Sequence, residues 1–186
     1  MMFFLPLAFT TMSLLLALCT SAAQNMAVRA PTPLNCGNSS NAVPLYSMEL
    51  PGADYFYSAL NSDIDIVGRG DGYNFNSVVY LVFTTQESST VPLFHVYNTN
   101  TIDNLYTTST TERDLALESG YLAGSTTAYI YPSQICGSVP FYRLYSITAT
   151  AHYYTINGTE RGALLAAGGW EDEGITGYVL DFSPCA

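Results

Sequence analysis

Residues 141–145, Phe141-Tyr142-Arg143-Leu144-Tyr145, alternate their character in steps of two, and residues 152–156 are aromatic and β-branched; both runs predict strands joined by a tight turn. The period then changes. Ser109-Thr110-Thr111-Glu112 and Asn157-Gly158-Thr159-Glu160 each set a capping residue three positions before a Glu, which predicts helix starts. Helices of about two turns follow over residues 113–119 and 161–167, ended by Gly120 and by Gly168-Gly169. The earlier stretch Asn61-Ser62-Asp63-Ile64-Asp65, followed by Gly-rich residues 68–72, lacks this signature, so a short helix is expected in at least two places. Strands resume around Tyr73, Tyr121 and Trp170, and again over residues 78–83, 128–131 and 177–182.

These elements recur. Val43-Pro44-Leu45-Tyr46, Val91-Pro92-Leu93-Phe94 and Val139-Pro140-Phe141-Tyr142 fall 48 residues apart. Asp54-Tyr55-Phe56-Tyr57-Ser58, Asp103-Asn104-Leu105-Tyr106-Thr107 and Ala151-His152-Tyr153-Tyr154-Thr155 follow in the same order, then Gly72-Tyr73, Gly120-Tyr121 and Gly169-Trp170. Each repeat closes on a Tyr, aligned as Tyr80, Tyr129 and Tyr178. The expected domain is therefore residues 44–186, in repeats 44–91, 92–139 and 140–186, preceded by an extended segment over residues 24–43.

One such unit cannot bury its own apolar face, so three must share a core. The expected fold is mainly β, a closed pseudo-threefold assembly of β-trefoil-like arrangement; a small propeller-like ring or an open repeat array is the alternative. In a ring, Cys36 just before repeat one meets Cys185 just after repeat three, and Cys136 occupies the equivalent corner between repeats two and three. A Cys36–Cys185 bridge with Cys136 free is expected, with Cys36–Cys136 second.

Residues 1–23 carry no charged side chain and run through Phe3, Phe4 and Leu14 to Leu16 into Ser21-Ala22-Ala23, which predicts a signal peptide cleaved before Gln24. The absence of Lys or Arg before the apolar stretch makes a retained N-terminal anchor the alternative. The expected mature chain is secreted, extracellular and free of the membrane. Asn38-Ser39-Ser40 and Asn157-Gly158-Thr159 are sequons, so Asn38 and Asn157 are candidate glycosylation sites. Five Arg face 15 acidic residues for a net charge of −10, which opposes binding to nucleic acid or an anionic membrane.

Phe141-Tyr142-Arg143-Leu144-Tyr145, His152-Tyr153-Tyr154-Thr155, Glu160-Arg161, Gly169-Trp170 and Glu173-Gly174-Ile175 together resemble a secreted repeat family of unknown function, found in fungal and bacterial exported proteins and sometimes appended to hydrolases. Its unit reads Pro-Leu-Tyr-Arg-Leu-Tyr, His-Phe-Tyr-Thr, Glu-Arg, Gly-Trp, Glu-Gly-Ile. The resemblance covers residues 44–182 and is fullest in repeat three; repeat two has Asn104 where the His stands. It implies an architecture and a binding module, and supplies no catalytic residue.

Candidate chemistry is sparse. The two histidines, His95 and His152, fall at different places in the repeat, and His152 is expected to hydrogen-bond neighbouring backbone. Glu112-Arg113 and Glu160-Arg161 suit the first turns of helices. Glu171-Asp172-Glu173 beside the lone Trp170 is expected in a loop, and adjacent acids on one loop do not make a glycosidase pair. Asp63, Asp65 and Asp71 miss the calcium-loop spacing, and Arg69-Gly70-Asp71 spells an adhesion tripeptide. No metal or cofactor is expected. The leading expectation is a non-catalytic carbohydrate or cell-wall glycan binder using Tyr106, Arg113, Tyr121, Arg143, His152, Tyr154, Arg161, Trp170 and Glu173, in repeats two and three. The alternatives are a glycan-active hydrolase and a structural or host-interaction protein.

Overall fold

The computed structural model describes residues 35–182. The signal peptide, most of the N-terminal segment and Cys185 lie outside the described residues.

The protein is mainly β, with one order of elements occurring three times. The first third holds β1 (Ala42–Leu50), β2 (Asp54–Ser58), α1 (Asn61–Gly70) and β3 (Asn74–Phe83). The second holds β4 (Val91–Asn98), β5 (Asp103–Thr107), α2 (Thr110–Glu118) and β6 (Leu122–Ile130). The last holds β7 (Val139–Ser146), β8 (Ala151–Thr155), α3 (Gly158–Ala167) and β9 (Trp170–Val179). Within each third the first strand lies between the other two, all antiparallel, in the orders β2-β1-β3, β5-β4-β6 and β8-β7-β9. The first two thirds join through β3 and β6 into a six-stranded sheet, and the last forms a three-stranded sheet.

Each third thus has three strands and a helix, where a trefoil-like unit called for about four strands. The two strand signals after each helix belong to one strand, which bends at register shifts opposite Leu45/Tyr46, Leu93/Phe94 and Phe141/Tyr142. The helix expected in two places is present in all three. Ser109 and Asn157 cap α2 and α3 with their side chains, whereas α1 begins after Leu60, which makes no side-chain cap. The Ser58 hydroxyl donates to Asp63 at 2.8 Å and accepts from the Leu60 N–H at 3.0 Å, a contact that Thr107 and Thr155 also make to the Ser109 and Asn157 N–H groups. Thr155 and Glu160 repeat the hydroxyl–carboxylate pair at α3.

The core is built in layers. Leu45, Leu93 and Phe141 are each at most 1% exposed, and beneath them lie Tyr57, Tyr106 and Tyr154. The strand register corrects one alignment made from the sequence. Leu45 pairs with Tyr80, Leu93 with Ala128 and Phe141 with Gly177, so the position in the first third equivalent to Tyr129 and Tyr178 is Leu81 and not Tyr80. A shift of one residue turns a side chain to the other face. Tyr80 therefore points into the core while Tyr129 and Tyr178 do not, and Tyr80, Ala128 and Gly177 fill one layer with one large, one small and one absent side chain. The gap at Gly177 is taken by Ile130, whose Cδ1 would lie 2.5 Å from any Cβ placed there.

The three tyrosines of the second layer form a relay. The Tyr57 N–H donates to the Tyr106 hydroxyl at 2.8 Å, the Tyr106 N–H to the Tyr154 hydroxyl at 2.7 Å, and the Tyr154 N–H to the Tyr57 hydroxyl at 3.0 Å. Their rings meet edge to face at 5.4–5.6 Å, a favoured aromatic geometry. Short backbone pairings link the last strands: Phe83 with Tyr129, Tyr131 with Tyr178, and Leu180 with Leu81.

One disulfide joins Cys36 to Cys136 with a Cα separation of 5.7 Å. It replaces the expected Cys36–Cys185 bridge. The reason is local: the segment before β1 lies against the corner after β6, where the Gly37 N–H donates to the Tyr131 hydroxyl, and against the β3–β4 loop, where the Asn38 N–H donates to Glu87.

Candidate functional site

Each second strand places its first two residues where one third meets the next, and the three junctions carry different side chains on one backbone plan. Between the second and last thirds, Asp103 of β5 accepts hydrogen bonds from the His152 backbone N–H and from its Nδ1, both at 2.9 Å, and from the Tyr121 hydroxyl at 2.5 Å. His152 Nε2 lies 3.2 Å from Glu173. Arg143 reaches from β7 to both oxygens of Glu112, at 3.0 and 2.6 Å, and its Nε sits 2.8 Å from Glu173 at an angle that makes an ion pair without a hydrogen bond.

Every charge in this cluster has a partner within it. Burial pulls the His152 imidazole down, but its hydrogen bonds to Asp103 and Glu173 outweigh that and push it up to about 9. Burial raises the carboxyls of Asp103, Glu173 and Glu112; hydrogen bonds from His152 to the first two and from Arg143 to the third bring all three below the usual range. The imidazolium and guanidinium are thus each held between carboxylates, two cations against three, so the cluster is an internally paired network that keeps one net negative charge.

Between the first and second thirds the same positions read differently. Asp54 stands where Asp103 does, Tyr73 where Tyr121 does, Asn104 where His152 does and His95 where Arg143 does. Asp54 accepts from the Tyr73 hydroxyl at 2.5 Å, from the Asn104 backbone N–H at 3.3 Å and from the Asn104 side-chain amide. With that amide NH2 turned to Asp54, its oxygen faces His95 and accepts from Nε2 at 2.7 Å. Burial drives the His95 pKa down, which keeps the ring neutral, and no cation faces Asp54. Burial, only partly offset by the Tyr73 hydrogen bond, pushes the Asp54 carboxyl up to about 6.

Gly124, in the position of Glu173, makes room for the His95 ring, since a Cβ there would sit 2.5 Å from Nδ1. Above Asp54 opens a pocket of about 480 Å³ walled by Phe56, Tyr97, Leu50, Val67 and Ile102, with Asp71 on its lining. Small-ligand sites commonly measure roughly 300–1,000 Å³. A second, smaller pocket lies between α2 and β6, lined by Arg113 and Asp114.

The third junction is apolar at its centre. Ala151 replaces the Asp, Tyr55 the Asn or His, and Trp170 the Tyr; the Tyr55 and Tyr153 rings meet at 4.7 Å, and Tyr153 and Trp170 at 5.9 Å.

Of the residues expected from the sequence to bind ligand, Tyr121, Arg143, His152 and Glu173 come together, but bonded to one another. His152 bonds the carboxylate of Asp103 rather than neighbouring backbone. Tyr106 and Tyr154 are each 1% exposed and belong to the core relay, which withdraws them as ligand contacts. Arg113 and Arg161 lie 4.4 and 4.7 Å over the rings of Phe94 and Tyr142 and pair with Asp114 and Asp172, away from the junctions. Glu171, Asp172 and Glu173 lie on β9, not in a loop, and Asp172 pairs with Arg161 while Glu173 pairs with Arg143 and His152. Asn38 and Asn157 cap helical turns at the surface. The larger pocket falls between the first and second thirds, not in repeats two and three. Its residues Asp54, Tyr73, His95 and Asn104 were missed, although aligning them with Asp103, Tyr121, Arg143 and His152 marks them.

A family model described as Domain of unknown function (DUF5648) matches residues 34–180. The chain belongs to the DUF5648 family. The match takes in all three thirds, so the junctions and both pockets lie within the DUF5648 domain. Neither curated proteins nor solved structures include a match to the chain. Among the described residues of this DUF5648 member, no group of three His, Cys, Asp or Glu side chains is disposed to hold a metal ion, and no helix is long and apolar enough to cross a membrane.

Proposed function

We propose that this protein is a secreted, non-catalytic module that binds carbohydrate in the pocket between its first and second thirds. The observation carrying this reading is the pocket's mixture of groups: half-buried Phe56 and Tyr97 rings beside Tyr73, Asn98, Thr99 and Asp71, with no Lys or Arg in the lining. Sugars present apolar ring faces edged by hydroxyls, which aromatic faces and planar donors and acceptors recognise. A phosphorylated ligand would find no countercharge there.

Binding is favoured over hydrolysis by the state of the acids. Asp172 is paired with Arg161 and Glu173 with Arg143 and His152, so these acids do not face each other across a cleft as a glycosidase pair must. Export accords with the Cys36–Cys136 bridge, because disulfides persist in oxidising compartments. In this reading the three units form a closed pseudo-threefold ring, supported by the tyrosine relay and the Phe83/Tyr129, Tyr131/Tyr178 and Leu180/Leu81 pairings. The test is a glycan array probed with the mature protein and with Tyr97→Ala. The wild type is expected to bind at least one glycan and the variant to lose about tenfold or more in affinity. No binding to any glycan, or binding unchanged in the variant, overturns the proposal.

A further inference from the structure

The charges around this pocket are one-sided, and they narrow the class of ligand. Asp54 forms the floor without a cationic partner, hydrogen-bonded to Tyr73 and Asn104. Asp103 also lies on the lining and pairs with His152, a cation it shares with Glu173. Asp71 is exposed, and as the residue that ends α1 it stands where the helix presents its partial negative charge. The nearest basic residue in sequence, Arg69, pairs with Asp65 one turn earlier in the helix. Phe56 and Tyr97 turn ring surface into the same space, and ring faces attract cations. The whole chain carries −10, which draws in a cationic ligand and repels an anionic one.

Building on the carbohydrate reading, we infer that the pocket selects a saccharide bearing a protonated amine, with the ammonium between Asp71 and the Tyr97 and Phe56 rings, over the same saccharide with that amine acylated. Asp54 acts through its field, since it is fully buried; Asp71 makes the contact. The sugar ring and its hydroxyls meet Tyr73, Asn98 and Thr99.

The experiment is calorimetric titration of the mature chain near neutral pH with tetramers of glucosamine and of N-acetylglucosamine, and with spermidine as an amine without a sugar. The glucosamine tetramer is expected to bind about tenfold more tightly than the acetylated one and than spermidine. Asp71→Asn should abolish that preference, while Glu118→Gln, an exposed substitution on α2 with the same change in net charge, should leave it intact. Equal or tighter binding of the acetylated tetramer overturns the inference and leaves the carbohydrate reading standing. Spermidine binding as tightly as the glucosamine tetramer overturns the saccharide element. Equal losses in Asp71→Asn and Glu118→Gln overturn the placement at this pocket, and binding by none of the three probes overturns the inference.

Discussion

A single side chain decides the character of each junction. His152 and Asn104 occupy the same place on β8 and β5, and both bond an Asp of the preceding third, yet only the His brings charge. Held between Asp103 and Glu173, His152 has its pKa pushed up to about 9 from an ordinary 6.5. A folded-state pKa above the unfolded one means the stabilisation is fully present below pH 6.5 and is lost as pH rises through about 9. Each tenfold change in proton affinity is worth about 1.4 kcal/mol, so the loss is on the order of 3 kcal/mol. Urea midpoints measured across that window should therefore fall with pH in the wild type, and His152→Asn, which copies the first junction, should flatten the slope. An equal slope in the variant would show that another group titrates there. The same comparison explains the missed pocket: His152 drew attention because histidine and its charged neighbours look functional, whereas Asn104 looks ordinary until the three junctions are laid over one another.

At the scale of elements, the helices show how much local sequence can report. Ser109 and Asn157 announce α2 and α3 because their side chains accept from the N–H groups of the first turn, a purely local interaction. Leu60 holds the equivalent position before α1 and cannot do so. What α1 keeps is the contact all three helices share: Ser58, still part of β2, bonds both Asp63 and the Leu60 N–H, as Thr107 and Thr155 accept from the Ser109 and Asn157 N–H groups. Leu60→Asn restores the missing acceptor. It is expected to raise stability by about 0.5–1 kcal/mol in thermal unfolding, and a lowered melting temperature would mean that the half-exposed Leu60 side chain contributes more than the cap. Strand faces were less legible than helix starts. Aligning Tyr80 with Tyr129 and Tyr178 is natural from residue type alone, but register is set by pairing across the sheet, and there Tyr80 aligns with Ala128 and Gly177.

Across the whole molecule, the Cys36–Cys136 bridge closes a loop spanning 100 residues and fixes the segment before β1 to the corner between the second and last thirds. Loop-closure entropy for that length is worth about 4–5 kcal/mol, so Cys136→Ser, or reduction of the wild type, should lower the urea midpoint sharply. An unchanged midpoint would sink the pairing. Peptide mapping of the oxidised protein, joining the Cys36 and Cys136 peptides, checks the connectivity directly. The sequence by itself marked the recurring landmarks, the two strands that open each unit and two of the three helices, because periodicity, caps and turn residues act between neighbours along the chain; that the two strand signals after each helix belong to one bent strand came from the sheet register. Tertiary structure alone decided which cysteines meet, which tyrosines turn inward, and which junction opens into a pocket. Those outcomes depend on contacts between residues about 50 to 100 positions apart. At such distances a substitution such as Asn104 for His, or Gly124 for Glu, changes the charge and space of a site without altering the local pattern that marks its strand.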